Sequence, residues 1–237
     1  MQFWLTGINA FLSSVPNGGL TTFGSIINTN FGFTNLQVIL LDIPRCVFSV
    51  LYFLVIGIIT SKRKNLRMYF MMFSTIPPFV GFLLMALLPN TEEYRWTKWG
   101  GYFMTVPFVI SMFLGWTLIP SNTGGRTKRT LTSSFTFVGY CVGNMCGSQI
   151  FKSADAPRYI SGTVGCAICF ALEFVVIVLW RSVYVFRNRR TQMRLAADGV
   201  SDEERVNRGQ ELGQQDVTDF NNPYVSCIIH QFLVNIC

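Results

Sequence analysis

Three ionisable side chains, Asp42, Arg45 and Glu173, lie inside long apolar stretches of this 237-residue sequence. A charge at the centre of a lipid bilayer costs about 2.5–3.5 kcal/mol on insertion scales, so each of them needs a physical reason. Asp42 and Arg45 are three residues apart, which places them on one helix face. We expect them to form an ion pair that lowers the cost of both charges, or to contact a substrate or coupling ion directly.

Glu173 lies about midway along the last apolar stretch. A single carboxyl group in that position could carry a proton across the protein. It could equally make a hydrogen bond that packs two helices together in its neutral form. The residues alone leave both interpretations open.

The composition indicates that the surrounding apolar stretches lie in a membrane. Half of the residues are apolar (50%) and only 13% are charged, whereas soluble domains carry about 25% charged residues. Because roughly 20 apolar residues cross a hydrocarbon core of about 30 Å, uncharged runs of this length are typical of spanning helices. We predict six of them, over residues 3–27, 36–60, 68–88, 99–119, 131–151 and 160–180.

Helices are preferred to strands because an open sheet would leave backbone groups unpaired in lipid. Several prolines fall inside the predicted spans, and membrane helices tolerate them; they are Pro16, Pro44, Pro77, Pro78 and Pro107. The fold class predicted from the residues is therefore an all-α membrane protein with six transmembrane helices.

The basic residues between the spans indicate the orientation. Lys and Arg are most frequent in 61–67, in 121–130 and after the last span, all on one side of the predicted membrane. By the positive-inside rule that side is cytoplasmic, and both chain ends lie there. We therefore predict a six-helix bundle over residues 1–185 and a cytoplasmic tail over 186–224 with a short helix from the Ser201/Glu204 capping box.

Residues 225–237 form an atypical apolar tail, which we interpret as a possible gene-model artefact.

Polar and small side chains follow regular spacings in two of the predicted spans. Asn9, Ser13 and Asn17 share one face of the first span, which must contact protein or water rather than lipid. The alternative to a polar cavity is interhelical hydrogen bonding. In the fifth span a glycine recurs every four residues, which favours close helix packing; these glycines are Gly139, Gly143 and Gly147.

The loop between the fourth and fifth spans reads SNTGGRTKRT, from Ser121 to Thr130. It does not fit a phosphate-binding loop, because Gly124 and Gly125 are adjacent and Lys128 follows an Arg-Thr pair. A role limited to setting topology by charge is one alternative for this loop.

The sequence from Gly115 to Cys166 resembles the carboxy-terminal half of fungal allantoate permease-type transporters, the anion:cation symporters of the major facilitator superfamily. The matching residues form a cytoplasmic loop motif, the glycine ladder with Asn144, and a third group that contains Asp155, Ala156 and Pro157 with Tyr159 and Gly162. The loop motif consists of Asn122, Gly125, Arg126, Thr127, Lys128 and Arg129.

This resemblance implies that the six spans form one half of a twelve-helix bundle, built as a 3+3 inverted repeat, with the amino-terminal half missing. It implies alternating access, proton coupling and a small organic anion as substrate, such as allantoate, nicotinate or pantothenate. The first and fourth spans would then line the substrate cavity. The cavity candidates are Asn9, Ser13, Asn17, Tyr102, Thr105, Ser111 and Asn144.

Other function classes are poorly supported by the sequence. With seven scattered cysteines and one histidine, His230, we expect no metal site and no cofactor. A membrane-embedded aspartyl protease needs two intramembrane Asp residues, and a serine protease of the rhomboid type needs an intramembrane His. We therefore expect no enzyme; the alternatives to a transporter are a six-helix receptor or scaffold, a non-functional truncated product, or a membrane-embedded enzyme.

The net charge of +7 suits anionic membrane lipid better than nucleic acid. We expect an integral, multi-pass protein of the plasma membrane with a cytoplasmic carboxy terminus.

Overall fold

The computed structural model describes residues 2–63, 66–123, 125–152 and 155–197, and in those ranges the chain is helical, without strands. The all-α prediction is confirmed. A short 3₁₀ turn spans Glu92–Tyr94. The helices are α1 (Gln2–Asn30), α2 (Asn35–Lys62), α3 (Arg67–Leu87), α4 (Arg95–Phe103), α5 (Phe108–Asn122), α6 (Arg126–Ile150) and α7 (Ile160–Ala197).

The helices form a bundle in which α1 packs chiefly on α6, and α3 packs on α7, α5 and α4. Two buried apolar clusters fill this bundle. One includes Phe82, Phe108 and Phe170, and the other includes Leu118 and Trp180. α2 stays at the periphery, since only Val38 and Ile56 of its residues are buried.

The connections between helices contact one another at the two ends of the bundle. At one end the Asn30 amide donates to the Pro157 carbonyl (3.0 Å), and Arg95 donates to Gly32 O (3.4 Å). At the other end the Asn122 amide donates to the Tyr184 hydroxyl (3.3 Å), and Arg67 donates to the Ser121 hydroxyl (3.4 Å). The chain therefore runs back and forth between two opposite ends.

In the part of the chain that the structure describes, four helical segments are long and apolar enough to cross a membrane: Asn35–Lys62, Arg67–Leu87, Glu92–Asn122 and Ile160–Thr191. α1 and α6, which we also predicted to span, are not among these four. Their Asn, Ser, Thr and Gly residues make them more polar, and these two helices pack most extensively on each other.

Most of the α2 surface is apolar and is not covered by the other described helices. It exposes Leu36, Ile39, Ile43 and Val47, whose exposed fractions lie between 55% and 67%. At the start of α2 the Thr34 hydroxyl accepts from Gln37 N (3.4 Å) and the Gln37 side chain accepts from Thr34 N (3.0 Å). This reciprocal pair caps the helix where its first N–H groups lack partners.

The fourth predicted span, 99–119, is not one continuous helix. α4 ends at Phe103 and α5 begins at Phe108, with a turn over residues 104–107 between them. Pro107 has no N–H and disfavours helical geometry in the residue before it, which favours a break at this point. The Tyr102 carbonyl accepts from Thr105 N (3.2 Å) and from the Thr105 hydroxyl (2.7 Å), and the Phe103 carbonyl accepts from Val106 N (3.1 Å).

α7 is longer than predicted. It begins at Ile160 and continues past residue 180 to Ala197, for 38 residues in all. At 1.5 Å per residue that is about 57 Å, nearly twice a hydrocarbon core of about 30 Å. The tail beyond residue 197, with the predicted Ser201 helix and the apolar segment 225–237, lies outside the described residues.

The α6 glycines lie directly against the α1 backbone. A methyl group on Gly139 would lie 2.8 Å from the Gly7 carbonyl oxygen, and one on Gly143 would lie 2.6 Å from the Phe11 carbonyl oxygen. A methyl group on Gly147 would collide with the Val15 carbonyl. The three contacted carbonyls follow the same four-residue spacing on α1, so the two backbones touch along three turns.

We predict that Gly143→Leu destabilises the bundle by about 1–3 kcal/mol, because a larger side chain must push α1 away from α6. The measurement is thermal unfolding of the purified chain in detergent. Gly57→Leu is the matched control, since Gly57 is also in a helix and has nothing within 4 Å of its Cβ position. Equal unfolding temperatures for the two variants would contradict the close contact.

Candidate functional site

The polar residues of α1 lie inside the bundle. Asn9 and Ser13 are buried, with exposed fractions of 2% and 0%. The Ser13 hydroxyl donates to the Asn9 carbonyl of its own helix (2.9 Å), whereas the Asn9 side chain lies beside Gly115 of α5. The Asn9 side-chain oxygen is buried and accepts no hydrogen bond in the described structure.

Asn17 and Asn144 lie opposite each other at the α1–α6 contact. The Asn17 amide donates to the Asn144 side-chain oxygen at 2.9 Å, and the Asn144 amide donates to the Tyr140 carbonyl (2.9 Å). Both residues are partly exposed. This pair therefore joins two helices, which is the arrangement that we considered as the alternative to a cavity lining.

Ser111 and Glu173 form a buried pair between α5 and α7. The Ser111 hydroxyl donates to Glu173 Oε1 at 2.8 Å, and both side chains have an exposed fraction of 0%. The other carboxyl oxygen of Glu173 has no hydrogen-bond partner in the described structure. This geometry matches the helix-packing interpretation of Glu173 and leaves one oxygen available for a further partner.

Arg45 forms the most polar contact of α2 with the rest of the bundle. Its Nη1 donates to Asp42 Oδ1 (3.4 Å) and to the Tyr102 hydroxyl (3.2 Å). Its guanidinium carbon lies 4.5 Å from the centroid of the Tyr102 ring, a cation–π distance. The predicted Asp42–Arg45 ion pair is thus present, and Tyr102 is added to it from α4.

Tyr102 reaches Arg45 because α1 leaves room for its ring. A methyl group on Gly24 would lie 2.6 Å from the Tyr102 hydroxyl, and Asn28, whose amide donates to the Gly24 carbonyl (3.0 Å), lies near that hydroxyl. Asn28 is 3% exposed, and in the described structure its side-chain oxygen has no donor and Arg45 Nε has no acceptor. We call Asp42, Arg45, Tyr102 and Asn28 the Arg45 cluster.

Asn28 and Gly24 were missed by sequence reasoning, although a signal existed. The polar face through Asn9, Ser13 and Asn17 continues at spacings of three or four to Gly24 and Asn28. Thr105, in contrast, lies in the turn after α4, and its hydroxyl donates to the nearby Tyr102 carbonyl. Three separate interhelical contacts therefore contain four of the predicted cavity residues, which are Asn17 with Asn144, Ser111, and Tyr102. Asn9, Ser13 and Thr105 belong to none of these three contacts.

The loop motif ends α5 and begins α6. Gly125 has φ +87°, a conformation that other residues rarely adopt, and α6 begins directly after it. Arg129 donates to the Thr123 carbonyl (3.4 Å), Asn122 contacts α7 through Tyr184, and Gly124 is outside the described residues. Arg126, Thr127 and Lys128 occupy the first turn of α6, where the helix dipole disfavours the positive charges of Arg126 and Lys128.

Two further sites can be considered. In the described part of the chain no group of His, Cys, Asp and Glu could hold a metal ion. A surface groove between the end of α6 and the start of α7, lined by Met145, Cys146 and Ile150 among others, contains none of the predicted cavity residues. The Arg45 cluster is the candidate functional site.

Comparison with known proteins identifies relatives over most of the chain. An uncharacterised transporter of Schizosaccharomyces pombe is 30% identical over 94% of this chain and 42% of its own length. An MFS-type transporter of Penicillium expansum is 27% identical over 85% of the chain and 42% of its length. The allantoate permease of Saccharomyces cerevisiae is 26% identical over 94% of the chain and 41% of its length. This chain is a relative of fungal major facilitator-type transporters.

The resemblance to allantoate permease-type transporters is therefore confirmed, and the relatives' names are those of carriers rather than enzymes. The chain spans about 40% of the length of these relatives. With its long apolar helices it is a multi-pass integral membrane protein. No family model and no solved structure matches it.

We predict that Ser111→Ala lowers the free energy of unfolding by about 1–3 kcal/mol, because it leaves a buried carboxyl oxygen without its donor. The double variant Ser111→Ala/Glu173→Met removes both partners and should recover most of that loss. Thermal unfolding in detergent is the measurement. Ser148→Ala is the control, since the Ser148 hydroxyl bonds only within its own helix. A double variant as unstable as Ser111→Ala would contradict the pairing.

Proposed function

We propose that this chain is the six-helix carboxy-terminal half of a secondary transporter for small organic anions, and that Arg45 binds the anionic group of the substrate. The support for Arg45 is its position: a cation ten residues into a helix whose other residues are mostly apolar and exposed. Intramembrane cations are rare and mark substrate or ion pathways.

The chemistry of the Arg45 cluster suits a carboxylate. A guanidinium group presents five N–H donors in a planar fork that matches two carboxylate oxygens. In the Arg45 cluster the described partners use Nη1, at distances of 3.2 Å and 3.4 Å, and Nε is left without an acceptor. A substrate carboxylate would replace Asp42 as the anion on Arg45, while Tyr102 holds the guanidinium plane by cation–π contact.

We propose six spans, with α4 and α5 together crossing once and with α1 and α6 crossing beside the four strongly apolar helices. The end of the bundle that carries Lys62, Arg63 and Arg129 would be cytoplasmic. The described acidic residues of the connections, Glu92, Glu93 and Asp155, lie at the other end, and this asymmetry supports the orientation. The plasma membrane is the proposed location.

We propose that the weakly packed face of α2 meets an amino-terminal half of the transporter, with each half a 3+3 inverted repeat. The relatives are more than twice as long as the aligned region, which leaves room for such a half. Rocking of the two halves would expose the Arg45 cluster to either side in turn. Glu173, with one unpartnered oxygen, would be the proton-carrying group.

Substrate uptake by a hybrid protein tests the proposed function. The hybrid carries this chain in place of the part of the S. cerevisiae allantoate permease with which it aligns, and it is expressed in cells that lack the permease. We expect uptake of radiolabelled allantoate, nicotinate or pantothenate above the empty-vector level. A hybrid that reaches the plasma membrane as a monodisperse protein and takes up none of the three would overturn the proposal.

In this hybrid Arg45→Gln should lower kcat/KM at least tenfold, because it removes the charge that pairs with the substrate. Asp42→Asn is the matched control, since it removes the neighbouring charge and also frees Arg45. We expect Asp42→Asn to keep uptake and to leave KM unchanged or lower. If both variants lose uptake equally, the ion pair has only a structural role and Arg45 does not bind the anion.

The orientation predicts opposite labelling of two introduced cysteines, Thr91→Cys and Thr127→Cys, at exposed positions on opposite ends of the bundle. A membrane-impermeant maleimide applied to intact cells should label Thr91→Cys. Thr127→Cys should react only after permeabilisation. The unmodified chain gives the background of its native cysteines, and the reverse pattern would show that the basic loops face outward.

A further inference from the structure

A group of cationic and amide side chains lies at the end of the bundle that holds the α1–α2, α3–α4 and α6–α7 connections. It consists of the cations Lys98 and Arg95 on α4 and Arg158 before α7, with the amide Asn90 before α4; we call it the Lys98 cluster. We propose that the Lys98 cluster is a binding site for one small monovalent anion, chloride or a short carboxylate. This site is separate from the Arg45 cluster and does not depend on transport.

Lys98 is almost completely buried, with an exposed fraction of 2%. Its ammonium group contacts the side-chain oxygen of Asn90 and lies 5.2 Å from the centroid of the Phe31 ring. An ammonium group has three N–H donors, and one amide oxygen occupies one of them. The remaining N–H donors of the Lys98 ammonium group can therefore bind a further acceptor in this nearly closed environment.

Two further buried donors of the Lys98 cluster have no acceptor among the described residues. The side-chain nitrogen of Asn90 and Nε of Arg95 are both buried and make no hydrogen bond in the described structure. Arg95 is held in place by other contacts, since its Nη1 donates to Gly32 O (3.4 Å) and its guanidinium lies 5.0 Å from the Phe33 ring centroid. Buried N–H groups without acceptors are unfavourable, so this environment favours an added acceptor.

The charges around Lys98 are also unbalanced. Arg158 is near enough for its positive charge to act unfavourably on Lys98. Arg158 itself is fixed, because its Nη2 donates to the carbonyls of Ala86 (3.4 Å) and Leu88 (3.3 Å). It therefore cannot turn away without uncovering the end of α3.

No carboxylate in the described part of the chain neutralises these cations. Glu92, Glu93 and Asp155 are the acidic residues of the same connections, and none of them forms an ion pair there; the ion pair that the described residues contain joins Asp42 and Arg45. Burying a charge without a partner is costly, and an anion from solution would remove this cost.

The ligand is small because Lys98 is enclosed by the Phe31 ring and Asn90. It is an acceptor with one negative charge, since it would balance the Lys98 ammonium, and the amide N–H groups of its partner Asn90 have no acceptor in the described structure. Chloride or acetate satisfies both requirements. Such an anion would tie the end of α1, through Phe31, to the start of α4.

Anion titration of the full 237-residue chain in detergent tests this proposal. The protein is dialysed into sodium gluconate, whose anion is too bulky for the site, and chloride or acetate is titrated in at constant ionic strength. Thermal unfolding and the intrinsic tryptophan fluorescence, to which Trp99 next to Lys98 contributes, report binding. We expect a saturable rise in unfolding temperature with either anion.

Lys98→Met should abolish the saturable response while melting no lower than the unmodified chain in gluconate, because the uncompensated charge is gone. Lys152→Met is the matched control, since it removes an exposed lysine at the same end of the bundle and should keep the response. Asn90→Ala removes the amide donor but keeps the Lys98 charge, and it should weaken anion binding at least threefold.

Three outcomes would overturn the proposal. The first is an unmodified chain that does not respond to chloride or acetate. The second is an equal response in Lys98→Met and Lys152→Met. The third is a response limited to short-chain phosphatidylglycerol, which would assign these donors to a lipid headgroup. If Lys98→Met fails to fold, an unchanged anion affinity in Asn90→Ala is the contradicting result.

Discussion

The bundle depends on the close approach of α1 and α6 along their backbones. In a membrane, helix association cannot rely on the hydrophobic effect and depends on van der Waals contact, which small residues permit. Gly139, Gly143 and Gly147 supply that contact against the carbonyls of Gly7, Phe11 and Val15. Once α6 covers this face of α1, the face that carries Asn9 and Ser13 turns toward α5 and the bundle interior.

A polar side chain without a hydrogen-bond partner is costly in the apolar interior of the bundle. Ser111 bonds Glu173 between α5 and α7, and Asn17 bonds Asn144 between α1 and α6, so these four polar side chains have interhelical partners. The Arg45 cluster differs, because its guanidinium stacks on Tyr102 and pairs with a partly exposed Asp42 at 3.4 Å. A long, partly exposed ion pair is weaker than a buried bidentate one, which suits a group that exchanges its partner.

Much of the fold could be predicted from the sequence, because the hydrocarbon core permits few solutions. Long uncharged runs predict helices, and the predicted spans 36–60 and 68–88 agree with α2 and α3 within two residues. The break after Phe103 and the extension of α7 to Ala197 were not predicted. A proline alone does not predict whether a helix breaks, since Pro16 and Pro44 lie inside continuous helices, so tertiary contacts decide the break at Pro107. The end of α7 was missed because it lies in a charged segment without apolar periodicity.

The sequence by itself determined the residue types available for chemistry: an Asp42–Arg45 spacing that fits one helix face, a lone Glu173 and a glycine every fourth residue. Their partners were decided by the tertiary structure. Arg45 contacts Tyr102, Glu173 contacts Ser111, and Lys98 lies beside Asn90 and Arg158. These pairs join residues that are 8 to 62 positions apart in the chain. Helical periodicity fixes which side chains share a face, but the rotation and depth of each helix against its neighbours are set by packing, which periodicity does not encode.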